Sequence, residues 1–241
     1  FIVAPEAPSH GPMYGHGFAA MFLAECHGMS PRPELKEKLT KAVKLIVNSQ
    51  NKDGGWRYYP QRLDADISVT VCEVMALRAA RNAGVYVPRE TIDRSIQYVK
   101  RSQNADGGFM YMASMGGESA FARSAAGVVA LYSAGIYQGP EITKGLGYLM
   151  GFIPQQGVVR RENYYFYGHY YAAQAMWCAG GNHWSRWYPA IRDDLLSKQS
   201  RSGAWGTQGS AGQSYFGIVY ATAIATLILQ IPYNYLPIFQ K

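Results

Sequence analysis

Along residues 33–47 the apolar side chains Leu35, Leu39, Val43 and Ile46 stand four, four and three positions apart, with Lys and Glu between them. That spacing places them on one face of an α-helix, and Pro33 with Glu34 at its start suits a first turn. Residues 88–99 repeat the design: Pro88 and Glu90 open the segment, and Ile92, Ile96 and Val99 form the stripe. Both segments predict helices with one buried face and a charged outer face. Two other segments differ. Asp66–Ala83 and Ala120–Gly135 are apolar or small almost all round, the pattern of a helix enclosed on both sides. No period-two alternation of any length competes, so the chain is expected to be all-α.

The pattern repeats. Gln50-Asn51-Lys52-Asp53-Gly54-Gly55-Trp56 returns 53 positions later as Gln103-Asn104-Ala105-Asp106-Gly107-Gly108-Phe109, and again, eroded, as Gln199-Ser200-Arg201-Ser202-Gly203-Ala204-Trp205. Pro154-Gln155-Gln156-Gly157 falls where a degenerate copy is due. Five small-plus-large apolar blocks keep the same beat, beginning at Phe22, Ala76, Ala130, Ala175 and Thr226. The unit is therefore an Ala-rich inner helix, a short loop, a more polar outer helix and a Gly-rich turn. Units at about 13–60, 61–113, 118–163, 164–207 and 212–241 make one repeat domain over 1–241, an arc of four and a half hairpins. Residues at the ends of the inner helices are expected to look into its concave side. A turn that recurs through the chain cannot be a unique site in each copy, so Gln50, Asp53, Gly54 and Trp56 are read as structural.

Composition narrows this only a little. Hydrophobic residues at 48% and charged residues at 16% fit a packed globular chain. A net charge of +7 permits an anionic ligand, but the basic residues are dispersed, which argues against nucleic acid. The longest apolar run, Tyr215–Ile231, is shorter than the roughly 20 residues a membrane span needs, so membrane contact is expected to be peripheral at most. Cys26, Cys72 and Cys178 each lie in an apolar run and are read as buried thiols. The chain opens on Phe1 rather than Met, which leaves room for a processed N-terminus or a preceding domain.

The Gln-x-x-x-Gly-x-Trp turn, repeated at this period before Ala-rich helices, resembles the repeats of the squalene-hopene cyclase and protein prenyltransferase superfamily, the α/α toroids. The resemblance covers nearly the whole chain. It implies inner and outer helices stacked around a centre, and an isoprenoid or other elongated apolar ligand on the concave face. The toroids of that superfamily have more hairpins than this chain, which implies either an open arc or a missing N-terminal part.

Asp64-Ala65-Asp66-Ile67-Ser68 stands where the alkene-protonating cyclases of the superfamily carry Asp-x-Asp-Asp-Thr. The resemblance implies Asp66 as proton donor and Asp64 as its support, with Ile67 in place of a third Asp. The residues themselves allow a plainer role, because Asp is a preferred N-cap and a carboxylate at a helix start is favoured by the dipole. His169, in Tyr167-Gly168-His169-Tyr170, is placed like a zinc-ligating His of the prenyltransferases. The preceding inner helix, however, carries no Cys over Glu118–Ser124, and zinc needs three protein ligands, so neither metal nor cofactor is expected. His16, in Tyr14-Gly15-His16-Gly17, echoes His169, and either could serve as hydrogen-bond partner to the acid.

Tyr58, Tyr59, Tyr111, Tyr164, Tyr165, Phe166, Tyr167, Tyr170, Tyr171 and Tyr215 could wall a cavity and steady carbocations with their π faces, or fill helix interfaces. Arg57, Arg62, Arg123, Arg160 and Arg161, in turns or at helix starts, could meet diphosphate or uronate oxygens. Three functions follow: a terpenoid-cyclase-like or prenyltransferase-like protein, a polysaccharide lyase-like protein with a basic groove, or a scaffold that binds a partner protein.

Overall fold

The computed structural model describes residues 2, 11–155, 164–206, 216–236 and 238. Among them are nine α-helices and no strand: α1 (Met13–Met29), α2 (Pro33–Ser49), α3 (Ile67–Asn82), α4 (Arg89–Arg101), α5 (Phe121–Ser133), α6 (Pro140–Met150), α7 (Tyr165–Ala179), α8 (Gly181–Lys198) and α9 (Ile218–Gln230). The odd-numbered helices pack on one another in chain order, and each of the first four is covered by the even-numbered helix that follows it. Burial follows the sequence pattern. In α3, 12 of 16 residues are buried, against 4 of 13 in the outer helix α4.

The recurring turn is a joint. Gln50 Nε2 donates to Gly54 O inside its own turn at 2.9 Å and to Thr91 O at the start of α4 at 2.8 Å. Gln103 does the same with Gly107 O and with Glu141 O of α6, and Gln199 bonds Gly203 O. The indole N–H of Trp56 donates to Ile46 O, and that of Trp205 to Leu195 O, pinning each turn to the outer helix it leaves. Gly54 is needed twice over: its φ is +97°, and a Cβ there would sit 2.1 Å from the Arg94 carbonyl oxygen of α4. The degenerate copy at 154–157 runs out of the described residues after Gln155.

Because Gln50 is buried and bonds two elements while Gln199 is exposed and bonds one, the two should not be equivalent. Gln50→Ala is expected to destabilise the fold by about 1.5 kcal/mol, and Gln199→Ala by about 0.5 kcal/mol or less. Chemical denaturation of the two variants checks this.

The inner helices close in on each other. From α7, Tyr171 OH lies 3.4 Å from Cys72 Sγ of α3, Tyr167 OH donates to Ser68 O at 3.2 Å, and the Tyr170 ring stands 6.5 Å from Phe18 of α1. These tyrosines fill the space between α1, α3 and α7. Cys72 is buried, but Cys26 and Cys178 are only partly so, which corrects the expectation of three buried thiols; both lie where an inner helix reaches its C-terminal end. Among the described residues no helix is long and apolar enough to cross a membrane.

Candidate active site

The first Gly-Gly-Trp turn delivers Asp66 to the start of α3. Asp66 N–H donates to Trp56 O at 3.0 Å, and Trp56 N–H donates to the Thr70 hydroxyl at 3.1 Å, so turn and helix start are laced together. The next residue, Ile67, donates its N–H to Tyr111 O of the second turn, while Tyr58 O receives the N–H of Met13 at the head of α1. Four pieces of chain therefore meet around one carboxyl group.

That carboxyl is divided in use. Oδ1 accepts from Ser68 N–H at 2.9 Å, Val69 N–H at 2.9 Å and the Ser68 hydroxyl at 2.6 Å. Oδ2 is buried with no hydrogen-bond partner, and Arg57 Nε approaches it at 4.0 Å. Asp66 is 0% exposed. Burial pushes its carboxyl above the ordinary aspartate range, and the bonds from Ser68 and Val69 and the Arg57 charge oppose the shift. The N-cap reading is thus correct as geometry. Yet among the described helices α3 alone has a side-chain cap; α5, α7 and α9, the next inner helices, begin at Ala120, Tyr164 and Gly217 without one.

Arg57 is held in place by its surroundings. Its Nη1 donates to Asp64 Oδ2 at 2.7 Å and contacts Met112 Sδ, and its guanidinium lies over the rings of Tyr58 and Tyr111 at 4.9 and 5.8 Å. The two phenols bond to each other. Asp64 therefore touches Arg57 rather than Asp66, and any support it gives the acid passes through the guanidinium. Tyr98 OH donates to Ala65 O and closes the floor.

Of the residues singled out in the sequence, Asp66, Asp64, Arg57, Tyr58, Tyr111 and Tyr167 are brought together here. Tyr170 lies deeper, between α7 and α1. The two histidines point away: His16 Nε2 bonds Ala42 O of α2 at 3.1 Å and its Nδ1 accepts from Ile2 N–H, while His169 packs among Phe121, Tyr165 and Trp187. Burial lowers the pKa of the His16 imidazole. Tyr165 bonds Asp194 of α8 beneath Lys198, Arg123 is spent on Phe109 O and Glu118 O, and Tyr59 is exposed. Arg160, Arg161 and Tyr215 lie outside the described residues.

Two further residues, Tyr14 and Ser68, belong to the site. Tyr14 OH lies 2.7 Å from Ser68 Oγ, and Ser68 carries the third bond to Asp66. The signal was in the two Tyr-Gly-His openings: two positions along a helix is about 200° of rotation, so when His faces the outer helix the Tyr faces the centre. Tyr14 and Tyr167 do so from α1 and α7, and both reach Ser68.

No group of three or more His, Cys, Asp or Glu side chains among the described residues could hold a metal ion. The model of the squalene-hopene cyclase C-terminal domain matches residues 18–164, a stretch that contains Arg57, Asp64, Asp66 and Tyr111. Among solved structures the chain is similar to variants of the type II terpene cyclase MstE from Scytonema. One, in complex with its substrate geranylgeranyl dihydroxybenzoate, has 16% identity and a TM-score of 0.62 over 95% of this chain and 65% of that one. Another, in complex with its product merosterolic acid A, has 15% identity and a TM-score of 0.62 over 95% and 66%. The chain thus spans just under two thirds of the length of these neighbours, and the likeness is one of fold. A search of curated proteins by sequence gave no significant match.

Proposed function

Because this chain belongs to the squalene-hopene cyclase C-terminal domain family, we propose that Asp66 is the acid of a protonation-initiated terpenoid cyclisation. The observation that carries this reading is the division of its carboxyl: Oδ1 held by three donors, Oδ2 buried and bare. Alkene protonation asks two opposed things of an acid. The proton must be present at working pH, which desolvation favours, and the carboxylate left behind must be tolerated, which the three donors and Arg57 favour.

The substrate class is an elongated polyprenyl alkene, the class to which the ligand of the MstE neighbours belongs. Oδ2–H gives its proton to one carbon of the terminal double bond. The alkene π pair forms the new C–H bond and leaves a tertiary cation on the other carbon. An internal double bond then attacks the cation and closes a ring, and the sequence ends when a proton is lost to a base. The π faces of Tyr58 and Tyr111 would lower the energy of the positive charge. Asp64 orients Arg57, and Arg57 compensates the Asp66 carboxylate.

Incubation of the protein in D2O with squalene, geranylgeranyl diphosphate and a geranylgeranyl arene tests the reading. The expected product is cyclic and carries one solvent deuterium on the carbon of the former terminal double bond that accepted the proton. Prenyl transfer by loss of diphosphate would leave that carbon unlabelled, and the absence of any cyclic product from all three would leave the scaffold reading, which the tyrosine-filled space between α1, α3 and α7 favours.

A further inference from the structure

The geometry points to Tyr14 as a positioning residue for the acid: its hydroxyl, acting through Ser68, sets the orientation and hydrogen-bonding strength of the group that holds Asp66 Oδ1. This deepens the reading of Asp66 as proton donor and rests on it.

The direction of the chain of bonds follows from proton counting. The Ser68 hydroxyl has one hydrogen, and it is committed to Asp66 Oδ1 at 2.6 Å. The 2.7 Å contact between Tyr14 OH and Ser68 Oγ then requires Tyr14 to donate and Ser68 to accept. Donors linked in this way polarise one another, so a phenol bonded to Ser68 makes the serine a stronger donor to the carboxyl. Ser68 is fixed from the other side as well, since Tyr167 OH donates to its carbonyl oxygen.

Nothing in the repeat itself demands this arrangement. The hydroxyl that serves the repeated turn is Thr70 in α3, Ser124 in α5 and Thr222 in α9, each receiving the N–H of the turn's aromatic residue. Two positions before those residues stand Ser68, Ala122 and Tyr220, so a serine there occurs only in the helix that carries the aspartate. Likewise, the N-cap positions of the other two helices, Ala120 and Gly217, offer no carboxyl to be served. Tyr14, Ser68 and Asp66 meet at one place, supplied by α1 of the first unit and the start of α3 in the second.

The titratable groups facing Asp66 are Tyr14 from α1, Arg57 and Tyr111 from the turns, Tyr98 from α4, Tyr167 from α7 and Cys72 from its own helix. Of these, Tyr14 reaches the carboxyl through a single hydroxyl, which makes it separable by mutation.

The test titrates the Asp66 carboxyl in the full chain by carbon-13 NMR, with Asp66→Asn to assign the signal. Tyr14→Phe is expected to raise the titration midpoint by about half a pH unit, and Ser68→Ala, which removes the bond itself, by about one. Replacing Tyr14 with a difluorotyrosine, a stronger donor of the same shape, is expected to lower it. A purely structural tyrosine would leave the midpoint unmoved in every folded Tyr14 variant while Ser68→Ala still shifts it, and that result overturns the inference. Should Tyr14→Phe not fold, the fluorinated side chain decides, because it keeps every contact. These titrations need no substrate, so they stand or fall separately from the cyclase reading. Where product is formed, Tyr14→Phe is expected to reduce kcat several-fold with KM unchanged.

Discussion

Asp66→Asn is expected to lower cyclisation by about 10³-fold or more while leaving the thermal midpoint almost where it was. The two halves of that expectation come from two uses of one side chain. As an N-cap, Asn is as good as Asp, since its side-chain oxygen can accept from the same Ser68 and Val69 N–H groups. As an acid, Asn has nothing to give. Asp66→Ala should behave differently: it loses the cap and leaves those N–H donors unmet in a buried place, which costs about 1–2 kcal/mol and lowers Tm by roughly 2–8 °C. If Asn and wild type make product at equal rates, Asp66 is a cap and no more. The pH dependence has a definite sign. The acid works in its protonated form, and burial has moved its pKa upward, so activity is expected to be full at low pH and to fall as the pH rises through that raised value.

Much of this was legible before the fold was known. The alternation of inner and outer helices could be read from residues such as Leu35, Leu39, Val43 and Ile46 on one face of α2 against the all-round apolar character of α3, because burial on one side or two leaves different periodicities. The Gln-to-Trp turn could be set aside as structural, because it recurs. Asp66 and Asp64 stood out because they do not. What could not be read was direction. His16 and His169 looked like partners for the acid, yet each sits two residues after a Tyr and so faces the opposite way along its helix. Arg57 and Arg123 looked alike, both near the head of an inner helix; only Arg57 is turned toward a carboxyl, and Arg123 is taken up by backbone carbonyls. Such differences arise from packing between α1, α3 and α7, which lie far apart in sequence. Ile67, which removes an Asp from the expected motif, donates its backbone N–H to Tyr111 instead, and polar support for Asp66 arrives from Ser68 and Arg57.

Glu73→Met is expected to stabilise the protein by about 2–3 kcal/mol and to raise Tm by roughly 4–12 °C. Glu73 lies in the middle of α3, is 0% exposed, and has no hydrogen-bond partner for either side-chain oxygen. Burial alone pushes its carboxyl well above the ordinary glutamate range. A group whose pKa is raised on folding supports the fold while it is protonated and loses that support as the pH climbs through the folded value. Wild-type stability should therefore decline from the ordinary carboxylate range upward, the Met variant should decline less, and the gap between them should widen with pH. Glu73→Gln separates the contributions: it abolishes the titration but keeps an unsatisfied polar head, so it should flatten the profile without the full gain. Thermal melts of the three proteins across pH check both points, and a Met variant less stable than wild type at every pH would mean that the carboxyl has a partner. The comparison also bears on the acid. Asp66 and Glu73 share one helix and are both fully buried, but the first has three donors and a guanidinium and the second has none. Desolvation pushes the pKa of each upward. Only for Asp66 is there anything nearby to receive the charge when the proton leaves, and that asymmetry makes one buried carboxyl a candidate catalyst and its neighbour a cost to the fold.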